Sequence, residues 1–91
     1  MAVEVKVTSV LQKVTGAKVV HGDGGTVGEV LSDLDAKYPG FKQQIMQGGS
    51  LHRFVNIYLN DEDIRYLDQL NTRLKDGDSI SILPALAGGR D

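Results

Sequence analysis

The stretch "TVGEVLSDLDAKYPG" (residues 26–40) contains the helix around which the fold is organised. Thr26 and Glu29 have the spacing of a capping box, in which a hydroxyl and a later carboxylate satisfy backbone N–H groups at a helix start. Pro39-Gly40 ends the helix. Apolar residues recur on one helical face, namely Val27, Val30, Leu31, Leu34 and Tyr38. A helix with one apolar stripe requires a sheet that covers that stripe.

Strands are predicted on both sides of this helix. Residues 3–8 alternate apolar and polar side chains, the pattern of a half-buried strand, and residues 17–21 form a second strand joined to the first through Gly16. Downstream, the sequence predicts a helical turn over 41–46, a loop over 47–50, strands over 54–59 and 64–66 around a polar turn, a sharp turn over 75–78, and a last strand over 79–83. This order predicts an α+β fold with a mixed sheet of four to five strands packed on one main helix.

The bulk composition predicts one ordinary globular domain of 91 residues. Ten basic residues are scattered among twelve acids, for a net charge of -2, which argues against a nucleic-acid-binding surface. The first residues lack the apolar run of a signal peptide, and no stretch approaches the roughly 18 apolar residues of a membrane span. We therefore expect a cytoplasmic protein without nucleic-acid or membrane partners. The absence of cysteine excludes disulfides, thiolate metal sites and a cysteine nucleophile.

Three sets of residues are candidate sites. The glycine-rich residues 21–26 precede a helix, but they lack the Gly-Lys-Ser/Thr ending of a phosphate loop, so a loop with a helix cap is favoured. The acids of residues 61–63 lack the glycine and glutamate spacing of a calcium loop. His21 and His52 lie in different segments without the partners of a triad or a zinc site. No catalytic or metal-binding residue is predicted.

Two other features point to a function outside catalysis. If Val55, Ile57 and Leu59 face the helix, then Phe54 and Tyr58 face outward, which favours a docking surface. The alternatives are that the register is reversed or that residues 47–53 cover the two aromatic side chains. The chain then ends in "PALAGGRD" (residues 84–91), with two glycines soon after an apolar strand. A frayed terminus is one interpretation. The other is a backbone that enters a channel too narrow for any Cβ.

The stretches "LHRFVNIYLNDEDIRYL" (residues 51–67) and "DGDSISILPALAGG" (residues 76–89) carry a resemblance. The whole chain resembles the ubiquitin-like β-grasp sulfur carriers of the ThiS/MoaD family, above all those of the cysteine-biosynthesis type. The resemblance implies a β-grasp domain over residues 1–86, with parallel first and last strands side by side, and a flexible tail over residues 87–91. The predicted core is Val3, Val5, Val7, Val30, Leu31, Leu34, Val55, Ile57, Ile80 and Ile82.

The resemblance also implies a carrier that is not itself an enzyme and binds no cofactor. An activating enzyme similar to those of ubiquitin uses ATP to adenylate the carboxyl of Gly89, which Ala87 and Gly88 precede in the tail, and a sulfur donor converts it to a thiocarboxylate. Arg90 and Asp91 would be an extension removed by a JAMM-type metalloprotease, although a remnant of cloning reads identically. The acceptor enzyme would make cysteine, a cofactor or a thio-containing metabolite. The expected docking patch, for the activating and the sulfur-accepting enzymes, is Phe54, Tyr58, Leu83 and Leu86.

Two alternatives to a sulfur carrier stay open at this point. A ubiquitin-like protein modifier would use the same activated Gly89 to acylate a target lysine. A plain β-grasp interaction domain would carry the tail incidentally, and deletion of Gly88 and Gly89 would then leave its function intact.

Overall fold

The computed structural model describes residues 2–47, 50–51 and 55–84. Its elements follow in chain order: β1 (Ala2–Val7), α1 (Ser9–Thr15), β2 (Val19–Asp23), α2 (Val27–Lys37), α3 (Phe41–Ile45), β3 (Met46–Gln47), β4 (Ser50–Leu51), β5 (Val55–Leu59), β6 (Glu62–Asp63), 3-10 turns at Ile64–Tyr66 and Gln69–Asn71, and β7 (Ser79–Pro84). The predicted domain boundary after residue 86 lies outside the described residues, so it stays a prediction.

The main sheet has five strands in the order β2-β1-β7-β5-β6. The first and last strands lie side by side and parallel, with Val5 opposite Ile80 and Val7 opposite Ile82. β2 and β5 flank this central pair as antiparallel neighbours. The predicted mixed sheet and the predicted placement of its two central strands are therefore confirmed.

Helix α2 begins and packs as its sequence predicts. The Thr26 hydroxyl accepts a hydrogen bond from the Glu29 backbone N–H at 3.2 Å, and the Glu29 carboxylate accepts one from the Gly25 N–H at 2.7 Å. The carboxylate thus reaches one residue further back than in the standard capping box. The apolar stripe of α2 is buried, and the Tyr38 ring at its end is half-buried. The helix assignment is confirmed.

The predicted core is confirmed, apart from Val55, which is half-buried and packs against its edge. Burial of this apolar surface, at about 25 cal/mol per Å², is the main favourable contribution to folding. The structure adds further buried side chains from both sheet and helices, which are Leu11, Val20, Val27, Phe41, Ile45, Leu59, Ile64 and Leu74. They enlarge the core beyond the single stripe of α2.

The connection between β1 and β2 differs from the prediction, which joined the two strands through Gly16 and assigned no helix between them. Helix α1 lies between them, and Gly16, its C-cap residue with a φ of 75°, donates its N–H to the Gln12 carbonyl oxygen at 2.7 Å. The strand β2 consequently begins two residues later than predicted. Leu11 of α1 is buried, so this helix covers part of the core.

The segment after β5 also differs from the prediction. Asn60 and Asp61 have φ values of 51° and 72°, the left-handed pair of a type I′ turn, and they join β5 to a short β6. Residues Ile64–Tyr66, predicted as a strand, form a 3-10 turn because Ile64 leaves the sheet plane and enters the core. Residues 47–50, predicted as a loop, belong partly to the β3–β4 pair. The turn at 75–78 is confirmed, and its Asp78 N–H donates to the Lys75 carbonyl oxygen at 3.1 Å.

Candidate functional site

The last strand occupies the centre of the sheet and leads toward the two glycines. β7 lies between β1 and β5, and its final described pairing is Pro84 opposite Val55. Outside the described residues lie Leu86 and the predicted tail, which consists of Ala87, Gly88, Gly89, Arg90 and Asp91. The structure therefore describes the strand from which the candidate carrier terminus extends, and the role of Gly89 stays a prediction.

One face of the sheet carries the described half of the candidate docking patch. Ile57 and Ile82 point to the core, so the alternate residues Tyr58 and Leu83 lie on the opposite face, as predicted. Tyr58 is opposite Ser81, which makes Leu83 its diagonal neighbour across the strand pair. Leu83 is 39% exposed and Tyr58 is half-buried. The structure thus brings two of the four predicted docking residues together, while Phe54 and Leu86 lie outside the described residues.

Polar side chains continue this face across the sheet. In one row, Lys6 lies opposite Ser81, which lies opposite Tyr58, which lies opposite Asp63. In the neighbouring row, Glu4 of β1 lies opposite His21 of β2 on one side and Ser79 of β7 on the other. An apolar pair with a charged rim of both signs is the usual composition of a transient interface.

The glycine-rich stretch before α2 serves packing and capping in this structure. The Glu29 carboxylate accepts the Gly25 N–H, and Leu74 donates its N–H to the Gly25 carbonyl oxygen at 2.9 Å. A Cβ at Gly22 would lie 2.8 Å from Val30 Cγ1, so glycine there permits the close approach of β2 to α2. An anion at this helix start would meet the Glu29 carboxylate. The loop-with-cap interpretation accounts for these residues.

The outer edge of β2 is covered by side chains of α2. Asp33 accepts a hydrogen bond from the Asp23 N–H at 2.9 Å, and Lys37 donates to the His21 carbonyl oxygen at 3.2 Å. The hydrogen bond from Lys37, 2.8 Å from the Asp33 carboxylate, lowers the pKa of Asp33, with a smaller effect from the Asp23 N–H. The same hydrogen bond raises the pKa of Lys37. These contacts occupy backbone groups that an unprotected edge would offer to another strand.

Two properties of the described residues bear on other classes of site. Within residues 2–47, 50–51 and 55–84, no group of three or more His, Cys, Asp or Glu side chains is arranged to hold a metal ion. Over the same residues, no helix has the length and apolar character needed to cross a membrane.

Sequence reasoning missed one contact beside the last strand. The Arg65 guanidinium donates through Nη2 to the carbonyl oxygen of Val55 at 3.0 Å. The two residues are ten positions apart, and they meet only because a tight hairpin and a 3-10 turn fold the chain back. No local pattern in the sequence signals such a contact.

Relatives are similar in sequence to this chain over nearly their whole length. The sulfur carrier protein CysO of Mycobacterium tuberculosis is 50% identical to this chain over an alignment of 93 positions, which covers 98% of this chain and 100% of the relative. Small archaeal modifier protein 3 of Haloferax volcanii is 34% identical to this chain over an alignment of 92 positions, which covers 98% of this chain and 100% of the relative.

A solved structure and a family profile agree with these matches. A chain of the crystal structure of the Amycolatopsis orientalis BexX/CysO complex superposes with a TM-score of 0.88 at 42% identity, over 96% of this chain and 99% of that chain. The predicted ubiquitin-like β-grasp fold is thereby confirmed. The ThiS family profile matches residues 5–89. The chain belongs to the ThiS family.

Proposed function

We propose that this chain is a sulfur carrier whose reactive group is the carboxyl of Gly89, set free when Arg90 and Asp91 are removed. The observation that carries the proposal is the family match, which ends at Gly89 and leaves Arg90 and Asp91 beyond it. The identity of 50% to a protein named as a sulfur carrier, over the full length of that protein, supports a carrier and not a catalyst.

The proposed chemistry has two steps, both catalysed by a partner. The activating enzyme joins the Gly89 carboxylate to the α-phosphate of ATP, and pyrophosphate leaves. A sulfur donor of the sulfide class then attacks the carbonyl carbon, the C–S bond forms, and AMP departs with the electrons of the broken C–O bond. The product is a thiocarboxylate at the chain end. Adenylation is needed because a carboxylate oxygen is otherwise a poor leaving group.

The residue types of the chain suit this chemistry. No cysteine is present, so the chain cannot carry sulfur as a persulfide, whereas a terminal thiocarboxylate needs no side chain. Gly88 and Gly89 have no Cβ, which lets a backbone pass through a narrow channel into an active site. We therefore expect Gly89→Ala to fold normally and to be adenylated poorly. Normal turnover of that variant would contradict the narrow-channel argument.

The partners are proposed from two features together, which are the chain end and the sheet face that carries Tyr58 and Leu83 (the open face). Tyr58 and Leu83 lie beside the end of β7, and with Phe54 and Leu86 they would dock the activating enzyme and the sulfur-accepting enzyme. The BexX/CysO complex supports the general idea that a CysO protein binds a partner. A JAMM-type metalloprotease would cut after Gly89. The cytoplasm stays the predicted compartment.

Intact-mass spectrometry on three chains tests the proposal. The 91-residue chain, the chain truncated after Gly89, and the truncated chain with Gly89→Ala are each incubated with ATP, a sulfide source and the activating enzyme. We expect only the truncated native sequence to gain the mass of sulfur in place of oxygen efficiently. In protein from native cells, sulfur on a chain that still carries Arg90 and Asp91 would overturn the proposed site.

A protein modifier is the second candidate, because the chain is 34% identical to a small archaeal modifier protein. Both functions begin with the same adenylate, and they differ in the nucleophile that attacks it. A modifier would leave Gly89 joined to a target lysine through an isopeptide bond. Mass spectrometry of native cells would show such conjugates for a modifier and free thiocarboxylate for a sulfur carrier.

A further inference from the structure

The end of β7 is held from one side only. In the described part of the chain, β1 pairs with β7 as far as Ile82, whereas β5 pairs with it as far as Pro84. Leu83 and Pro84 therefore have only β5 beside them, through Asn56 and Val55. Whatever fixes the first residues of β5 also fixes the point from which the chain continues toward its terminus.

The first residues of β5 also lack a strand on their other side. Over the described residues, β6 pairs only with the last two residues of β5. The Asn60 N–H donates to the Ser79 carbonyl oxygen at 2.9 Å, so by antiparallel alternation Asn56 directs its backbone groups toward β7 and Val55 directs them away. Arg65 donates to this outward Val55 carbonyl oxygen at 3.0 Å. The guanidinium takes the place of a missing strand neighbour.

The same alternation explains the proline at the end of β7. Pro84 has no N–H to donate. It lies opposite Val55, and these two residues form a non-hydrogen-bonded pair of the antiparallel strands, so no backbone hydrogen bond is lost. The last pair that can exchange them is Leu83 with Asn56. The Arg65 contact is consequently the one described hydrogen bond that holds the backbone of Val55 beside Pro84.

Arg65 is itself fixed at its backbone. The Asp63 carboxylate accepts the Arg65 N–H at 2.9 Å and so caps the 3-10 turn. Ile64, the first residue of that turn, is fully buried and anchors it to the core. The exposed guanidinium thus extends from a rigid turn and donates a charge-assisted hydrogen bond to Val55.

We propose that Arg65 is a positioning residue for the C-terminal segment. Its guanidinium holds Val55, Val55 and Asn56 hold the end of β7, and the end of β7 sets the direction in which the chain leaves the sheet. The consequence for activation rests on the proposed function, because a loosened strand end must lose additional conformational freedom when the terminus enters an active site.

The test uses chains truncated after Gly89 and two measurements. Arg65→Met removes the donor and keeps an apolar stem, Arg65→Lys keeps one charged donor, and Arg73→Met is the matched control at an exposed arginine elsewhere. Amide hydrogen exchange compares Leu83 with Ile80, and steady-state kinetics give kcat/KM for adenylation. Arg65→Met should speed Leu83 exchange relative to Ile80 and lower kcat/KM, each by about fivefold, the size expected from one net hydrogen bond. Arg65→Lys should retain most of both values, and Arg73→Met should change neither.

The outcomes separate this inference from the proposed function. Unchanged Leu83 exchange in Arg65→Met would overturn the positioning role, and a lower kcat/KM with that result would assign Arg65 to direct contact with the enzyme. Faster Leu83 exchange with normal kcat/KM would overturn its role in activation. Faster exchange combined with no adenylation of any truncated chain, including the native sequence, would refute the proposed function and support the hold of Arg65 on the strand end.

Discussion

Gly22→Ala tests whether the glycine-rich stretch exists for packing between β2 and α2. A Cβ at Gly22 would lie 2.8 Å from Val30 Cγ1 and 3.1 Å from both Leu34 Cγ and the Val30 carbonyl oxygen. Carbon atoms in favourable contact lie about 3.5–4.0 Å apart. The strand and the helix would therefore have to separate by roughly 0.7–1.2 Å at this point.

The cost follows from how little the surroundings can adapt. Val30 is fully buried, and a β-branched side chain in a helix has one strongly preferred rotamer, so it cannot rotate away. Overpacking of this kind costs about 1–3 kcal/mol. The lower entropy of the unfolded alanine chain returns about 0.4–1 kcal/mol. The midpoints of these ranges, about 2 and about 0.7 kcal/mol, leave an expected net loss of about 1.3 kcal/mol in the free energy of unfolding, or about 5–10 °C in Tm.

Urea denaturation followed by circular dichroism measures this loss, and two further variants control it. Gly25→Ala is the matched control, because a Cβ there would meet only Glu29 Oε1 at 3.5 Å, and it should be neutral or slightly stabilising. Val30→Ala removes the closest clashing atom, so Gly22→Ala should cost about 1 kcal/mol less in that background. If Gly22→Ala is as harmless as Gly25→Ala, or costs the same with Val30→Ala, the packing argument is wrong.

Three further predictions concern the core, the open face and the β2 edge. Leu34→Ala should lower the free energy of unfolding by about 2–5 kcal/mol in urea denaturation, because Leu34 is fully buried. Tyr58→Ala should weaken adenylation or binding to the sulfur-accepting enzyme while the domain stays folded; if kinetics and binding are both unchanged, Tyr58 is not a docking residue. The pKa of Asp33 is lowered, mainly by its hydrogen bond with Lys37, so this contact stabilises the fold at neutral pH and is lost as the pH falls through the lowered value. Acid titrations of the urea midpoint should show this loss in the native chain and a smaller loss in Asp33→Asn.

Local rules were sufficient to predict the elements whose causes lie close together in sequence. The hydroxyl of Thr26 and the carboxylate of Glu29 are three residues apart, and the stripe of α2 repeats within the same helix, so helix start and buried face could both be predicted. The alternation of β5 likewise predicted that Tyr58 faces away from the core. Resemblance to a family, and not periodicity, predicted that β1 and β7 are parallel neighbours.

Helix α1 escaped prediction because its local signals are weak. Its N-cap, Thr8, makes no side-chain capping hydrogen bond, and its first turn has no acidic residue. A helix of this length is unstable by propensity alone and depends on tertiary burial. Burial of Leu11 supplies that contribution, and Gly16 was a C-cap signal that the sequence reasoning assigned to a strand connection.

The sequence predicted a strand over Ile64–Tyr66 and no element over residues 67–74, and the end of this segment is held by contacts distant in sequence. The Leu74 N–H donates to the Gly25 carbonyl oxygen at 2.9 Å, and the Val27 N–H donates to the Thr72 carbonyl oxygen at 3.1 Å. These hydrogen bonds attach the segment to the start of α2, some 45 residues earlier in the chain. A window of neighbouring residues contains no information on such pairings.

The length of the C-terminal segment limits where a partner can bind. Gly89 is five residues after Pro84, so even a fully extended chain places the Gly89 Cα at most about 18 Å from the Pro84 Cα at the end of β7. An enzyme that acts on Gly89 must therefore hold the domain with the end of β7 within about this distance of its active site. Leu83 and Tyr58 lie near the end of β7, so this part of the sheet face can contact a partner while the terminus is in its active site.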